Sequence, residues 1–162
     1  MKRRPRMPMR PKPPLWTCPK CGHRFISRNL WHSCRRFPLR TVLGGIPPAH
    51  RAIVTHFRAL LRACGPVIVY GRRPRTIVFQ VRVRFAGLHM RQGWVEAGLW
   101  LERRATHPCL HRTASLRTIG SHGYAHYFRF TDVAQLDRAF EALAREAYVV
   151  GAQRSRPSRA GA

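Results

Sequence analysis

The chain has 162 residues, a hydrophobic content of 44%, and 31 Lys and Arg against 6 Asp and Glu, a formal charge of +25. That length suits one domain of ordinary size with a small appendage, and the apolar content is enough for a core. No run approaches the ~18 consecutive apolar residues of a membrane span, and the basic, proline-rich N-terminus has neither the apolar segment of a secretory signal nor the amphipathic helix of a transit peptide, so a cytoplasmic location without a membrane is expected.

Residues 1–14 read as a disordered basic tail. Met1-Lys2-Arg3-Arg4-Pro5-Arg6 leads into Pro11-Lys12-Pro13-Pro14, which favours extended, solvated backbone. Residues 15–36 read as a zinc-finger-like module. Cys18-Pro19-Lys20-Cys21-Gly22 has the form of a knuckle in which two thiolates clamp one side of a tetrahedral ion. Gly22 permits positive φ after the second thiolate, so backbone amides can turn toward the sulfurs. Cys34 supplies a third thiolate. His32 is the expected fourth ligand, because residues two apart on an extended segment point the same way; His23 competes, with a more awkward reach. Four protein ligands leave no open position, so Zn2+ here would be structural, supplying roughly 10 kcal/mol to a segment too short to fold alone. Trp16, Phe25 and Trp31 would form its miniature core. With five cysteines and no signal sequence, a metal is expected rather than a disulfide framework.

Residues 37–46 read as a linker punctuated by Pro38 and Gly44-Gly45, and residues 47–151 as a compact domain. A helix opens it: Pro48 suits the first turn, Ile53, Phe57, Leu60, Leu61 and Cys64 fall at helical spacing, and Gly65-Pro66 ends it. Val67 to Tyr70 is a short strand and Gly71 to Arg75 a loop. Thr76 to Phe85 is the clearest strand, with Ile77, Phe79, Val81, Val83 and Phe85 on one face and Val78, Gln80, Arg82 and Arg84 on the other. Trp94 to Leu101 pairs with it through a turn at Gly87 or Gly93. Leu116 to Ile119 and Tyr124 to Phe130 are further strands. Thr131 caps a closing helix, with Val133, Leu136, Phe140, Leu143 and Ala147 buried and Gly151 as the stop. Residues 152–162 read as a second disordered basic tail. Consecutive strands with short turns predict an antiparallel sheet with the N- and C-terminal helices on one face, an α+β two-layer sandwich.

The pattern Trp16-x-Cys18-Pro19-x-Cys21-Gly22-x-x-Phe25, then Asn29-x-x-His32-Ser33-Cys34, resembles the N-terminus of an uncharacterised bacterial family in which a zinc-finger-like segment precedes an α+β domain of unknown function. Phe79-Gln80-x-x-Val83-Arg84-Phe85-Ala86-Gly87, His107-Pro108, His126-x-x-Arg129 and Glu146-Ala147-Tyr148-x-Val150-Gly151 extend the resemblance over most of residues 15–151. The domain is distantly similar to small frataxin-like iron-chaperone domains. The resemblance implies no activity to carry over. The acidic surface of iron handling is missing too, since only Glu96 and Glu102 lie outside the last helix.

The charge points to a polyanion, and DNA or RNA is the expected partner. Residues 1–40 contain twelve Lys and Arg and no carboxylate. Arg3, Arg4, Lys20, Arg24, Arg28, Arg35 and Arg36 are therefore candidate contacts, joined by Arg82, Arg84 and Arg129 from the domain. G+C-rich codon usage explains arginine in place of lysine; it explains less well the scarcity of carboxylates. No nucleophile elbow, phosphate loop or paired-carboxylate motif is present, and the pairs His107/His111 and His122/His126 are broken by Pro108 and Gly123, so no catalytic set is expected. Two alternatives stand beside nucleic-acid binding. One is a small ligand-binding or enzymatic domain using Arg82 and Arg84 with His126 or His107 on an anionic substrate. The other is a protein-interaction adaptor presenting Trp16, Trp31 and Phe37.

Overall fold

The computed structural model describes residues 12–29, 32–35, 37–116 and 122–154. Arg3, Arg4, Trp31, Arg36, most of the two tails, and residues 117–119 of the expected Leu116–Ile119 strand lie outside them. The described chain is α+β, with three α-helices and a six-stranded antiparallel sheet, preceded by a two-stranded hairpin. That hairpin pairs β1 (Trp16–Thr17) with β2 (Arg24–Phe25).

The segment 37–46, expected as a linker, carries α1 (Leu39–Gly44), and its Val42 and Ile46 are buried in the core. Phe37 bridges to Gly71. A Cβ at Gly71 would sit 2.5 Å from the Phe37 carbonyl oxygen, so the approach requires glycine. Helix α2 (Pro48–Cys64) follows as expected. Proline stands at its first position, where an N–H has no intrahelical partner, and Ile53, Val54, Phe57, Leu60 and Leu61 are buried. Gly65 ends it at φ 142°.

The sheet order is β3 (Ile68–Arg73), β4 (Thr76–Gln80), β5 (Arg84–Met90), β6 (Val95–Leu101), β8 (Tyr124–Phe130), β7 (Leu110–Ser115). Two expectations are corrected. The single strand over Thr76–Phe85 is instead β4 and the start of β5, folded back so that Gln80 pairs with Arg84. The apolar alternation ran on through Val81 and Val83, but those residues form a turn, with Val81 N–H donating to the Val83 carbonyl. The amides of Arg82 and Val83 both donate to the Gly151 carbonyl at the end of the last helix, at 2.9 and 3.1 Å. A helix C-terminus leaves carbonyls without partners, and this one recruits the turn. Second, strand β7 was not expected, because His-Arg-Thr-Ala-Ser shows no apolar alternation; as an edge strand it buries little. Leu116 directly follows it. The β5–β6 turn lies at Gly93, at φ 77°, and Gly87 lies inside β5.

The closing helix starts later than Thr131 predicts. Asp132 caps a single 3-10 turn (Val133–Gln135) in a reciprocal arrangement with Gln135, and Asp137 then caps α3 (Arg138–Gly151) by accepting from Phe140 N–H at 2.9 Å. Phe140, Leu143, Ala144 and Ala147 of α3 are buried with Phe57 of α2 and with one residue parity of the strands: Ile77 and Phe79, Ala86 and Leu88, Ala97 and Leu99, Phe128 and Phe130. Phe140 meets Phe128 and Phe130 edge-on at 5.0 and 4.8 Å between centroids. Each such ring withdrawn from water contributes about 1.5–3 kcal/mol. Among the described residues no helix is long and apolar enough to cross a membrane.

Candidate metal centre and the basic sheet face

The β1–β2 hairpin builds the knuckle. Cys18 N–H donates to the His23 carbonyl at 2.8 Å, Gly22 N–H donates to the Cys18 carbonyl at 2.7 Å, and Gly22 sits at φ 67°. The ligand atoms of Cys18, Cys21, His32 and Cys34 all lie within 4.8 Å of one another. Cys18 Sγ is 3.9 Å from Cys34 Sγ, and His32 Nε2 is 3.3 and 3.5 Å from the sulfurs of Cys21 and Cys34. Bonds of ~2.3 Å to sulfur and ~2.1 Å to nitrogen in a tetrahedron separate ligand atoms by about 3.5–3.8 Å, so a metal ion fits at the centre. The Cys18 thiol is lowered to about 6, first by the backbone N–H of Cys21 and further by that of Lys20, which makes the thiolate available at neutral pH. All five cysteines are free of disulfides.

His23 is not in this cluster. Its ring packs on Tyr70 of β3 at 4.5 Å, and Gln80 Nε2 donates to the Arg24 carbonyl at 2.7 Å, so the module is seated on the β3–β4 side of the sheet. The rings of Trp16 and Phe25 pack against each other and against the ligand ring of His32.

The strand residues of the other parity line up in rows across the sheet. Pairing places Thr76, His89, Glu96 and Arg129 in one row across β4, β5, β6 and β8, and Tyr70, Val78, Gly87, Gly98, Tyr127 and Arg112 in the next. Thr76 Oγ1 and His89 Nδ1 are hydrogen-bonded at 2.7 Å. Burial, then the Arg91 charge, hold the His89 imidazole below its usual range. Arg91 donates to Glu96 at 3.0 Å, and His111 lies 3.3 Å from the other carboxylate oxygen. The Arg112 guanidinium lies over the Tyr127 ring at 3.8 Å, and that of Arg129 over Trp94 at 5.0 Å. Arg72, Arg73 and Arg84 line both a depression on this face and the cleft between the sheet and the metal module. Arg72 is lowered from the ordinary arginine range, first by burial and then by the charges of Arg84 and Arg73.

Of the residues expected to meet polyanions, Lys20, Arg24, Arg28 and Arg35 are exposed on the metal module, and Arg84 and Arg129 on this sheet face. Arg82 is elsewhere: it lies in the β4–β5 turn and donates to Gln153 Oε1 and the Pro13 carbonyl. His107 and His126 do not join Arg84 either. His126 is fully buried opposite Leu99, accepting Ala105 N–H at 3.0 Å. His107 accepts Cys109 N–H through Nδ1, which directs its Nε2 hydrogen to Asp137 at 3.2 Å. Sequence reasoning missed Arg72 and Arg73, in an expected loop, and Arg112, on the unexpected strand. It also missed Arg91 and Tyr127, because nothing short of the strand register shows that they share a face.

Comparison with models of protein families, with curated proteins and with solved structures finds no match for the chain.

Proposed function

We propose that the protein is a zinc-stabilised nucleic-acid-binding protein that lays a single strand of DNA or RNA along the basic sheet face. One observation carries the reading: arginines interleave with aromatic rings across that face, with Arg112 over Tyr127 and Arg129 over Trp94, and Arg72, Arg73 and Arg84 extend the basic lining to the metal module. Single strands are held by a positive groove that tracks phosphates and by rings on which bases stack, and both are sequence-tolerant. The arrangement needs a two-layer sandwich with helices on one side. Support comes from the parity of the strands, since the residues buried with α2 and α3 alternate with those that carry the arginines.

Zinc is the metal this donor set favours, because three thiolates and an imidazole in a tetrahedron suit it and four protein ligands close it. Its part is structural: it holds Arg24, Arg28 and Arg35 on a segment beside the sheet. Arg3, Arg4 and Arg36 would add to the same field.

The test is anisotropy of labelled random-sequence single-stranded DNA and RNA against the full-length, zinc-loaded protein over a salt series. The logarithm of affinity is expected to fall linearly with that of salt, with a slope near −0.7 per phosphate contact, and to flatten by about two contacts when Arg72, Arg73 and Arg84 are all changed to Gln. Absence of binding at about 0.1 M salt overturns the reading.

A further inference from the structure

On the basic sheet face there is a place where side chains stop. Gly87 of β5 and Gly98 of β6 pair directly across the two strands. Neither is among the residues at positive φ, so nothing in the backbone conformation asks for glycine at either position. Crowding does not exclude a side chain at Gly98, where a Cβ would meet the Tyr127 ring at 3.7 Å and the Gly87 carbonyl at 3.9 Å, both ordinary contacts; at Gly87 a Cβ would press on the Ile77 carbonyl oxygen at 3.3 Å, so that position is tight. Glycine weakens a strand interior, and the recurrent reason for it there is close approach of another group. The two glycines floor an open depression of about 340 Å³. Strands lie about 4.8 Å apart and same-face neighbours along a strand about 6.8 Å, so the backbone around the glycine pair spans on the order of 10 by 13 Å, bordered at Gly98 by the Tyr127 ring, with room for a planar ring beside it.

The rim supplies the rest of a ligand's chemistry. Arg72, Arg73 and Arg84 stand at one side, and Trp100 and Tyr127 contribute aromatic wall. Glu96, only 8% exposed, is the one carboxylate among the described lining residues, and it is matched already by Arg91 and His111. The three arginines therefore face one another without a counter-charge from the lining. Inorganic phosphate alone would answer the arginines but leave the bare floor and the rings unexplained. A planar base uses both, and Glu96 can accept from the N–H groups on its edge.

We propose that this depression seats one nucleoside monophosphate unit, its base flat on the Gly87–Gly98 floor with an edge toward Glu96 and its phosphate toward Arg72, Arg73 and Arg84. Where that unit belongs to a bound strand, the proposal rests on the nucleic-acid reading above; a free nucleotide is the other source of the same chemistry.

The experiment titrates AMP, GMP and inorganic phosphate separately into full-length, zinc-loaded, 15N-labelled protein, following backbone amides, beside anisotropy with a labelled single-stranded 12-mer. Three proteins are compared: wild type, Gly98→Val, which fills the floor with a residue suited to strands, and Arg73→Gln, on the exposed rim. The nucleotides are expected to shift the Gly87 and Gly98 amides where phosphate does not. Gly98→Val is expected to weaken nucleotide and 12-mer by about tenfold or more, and Arg73→Gln to weaken both by a smaller factor. If Gly98→Val does not fold, the amide shifts and the rim variant decide. Wild-type binding of the 12-mer with silent glycine amides overturns the seat and leaves the nucleic-acid reading standing. Nucleotide shifts at the glycines without 12-mer binding support the seat, assign it to free nucleotides and overturn the strand. Binding of neither overturns both.

Discussion

Cys18, Cys21 and Cys34 were legible from spacing because a knuckle is local chemistry: two thiolates two residues apart with a glycine behind them need no information from the rest of the chain. His32 against His23 was left open for the opposite reason, since His23 is claimed by Tyr70, a residue distant in sequence. Cys18→Ser is expected to lower bound zinc to well under one equivalent, read by elemental analysis, while His23→Ala keeps the ion. Retention of a full equivalent by Cys18→Ser contradicts the assignment. His126 gives a second prediction. Burial holds its imidazole below the usual 6.5, so the unfolded chain takes up the proton first. Stability is then complete at neutral pH and falls as the pH drops below about 6.5. Urea midpoints from about pH 7 to pH 5 should show that fall, and the fall should shrink in His126→Gln; an unchanged slope in the variant removes His126 as its cause. His89, lowered by burial as well, accounts for part of what remains.

Among the elements, α2 and β8 were readable because their patterns are strong and end at real stops, Gly65 in one case and Thr131 in the other. The fold-back after Gln80 was not readable. Its cause is a pair of hydrogen bonds to Gly151, a residue at the far end of the domain. Tertiary bonds there override a β-branched sequence that would extend if left alone. Gly151 also lies hard against the Phe85 ring. Gly151→Val therefore forces α3 away from β5 and should lower the melting temperature by more than a typical surface change, as scanning calorimetry would show. Phe140→Ala, which empties the contact with Phe128 and Phe130, is expected to cost about 3–5 kcal/mol in denaturant unfolding. A loss under about 1 kcal/mol would mean that this ring cluster is not the centre of the core.

For the molecule as a whole, composition gave the formal charge of +25 and could not say where that charge would gather. That depends on register: Arg84, Arg112 and Arg129 come from three strands and Arg91 from the β5–β6 turn, and only the pairing of those strands puts them on one face. Removing the metal with a chelator is expected to unfold the segment around Cys18 to Cys34 and leave the sheet and helices cooperative, with one calorimetric transition shifted by only a few degrees. Loss of that transition on chelation would make the ion part of the domain's own core.

The strand order carries a consequence for how the chain reaches this state. From β3 to β6 each strand lies beside the one before it, closed by turns as short as the one at Gly93, but β6 next meets β8, with β7 placed outside. Leu101 stands opposite Tyr124, so the ends of the chain between them must meet before β7 has a partner. Closing such a loop costs entropy that neighbouring hairpins do not incur. Folding should therefore run in two acts, an early meander of β3 to β6 and a later zipping of β8 and then β7, with the amides of β7 the last to gain protection in pulsed hydrogen exchange.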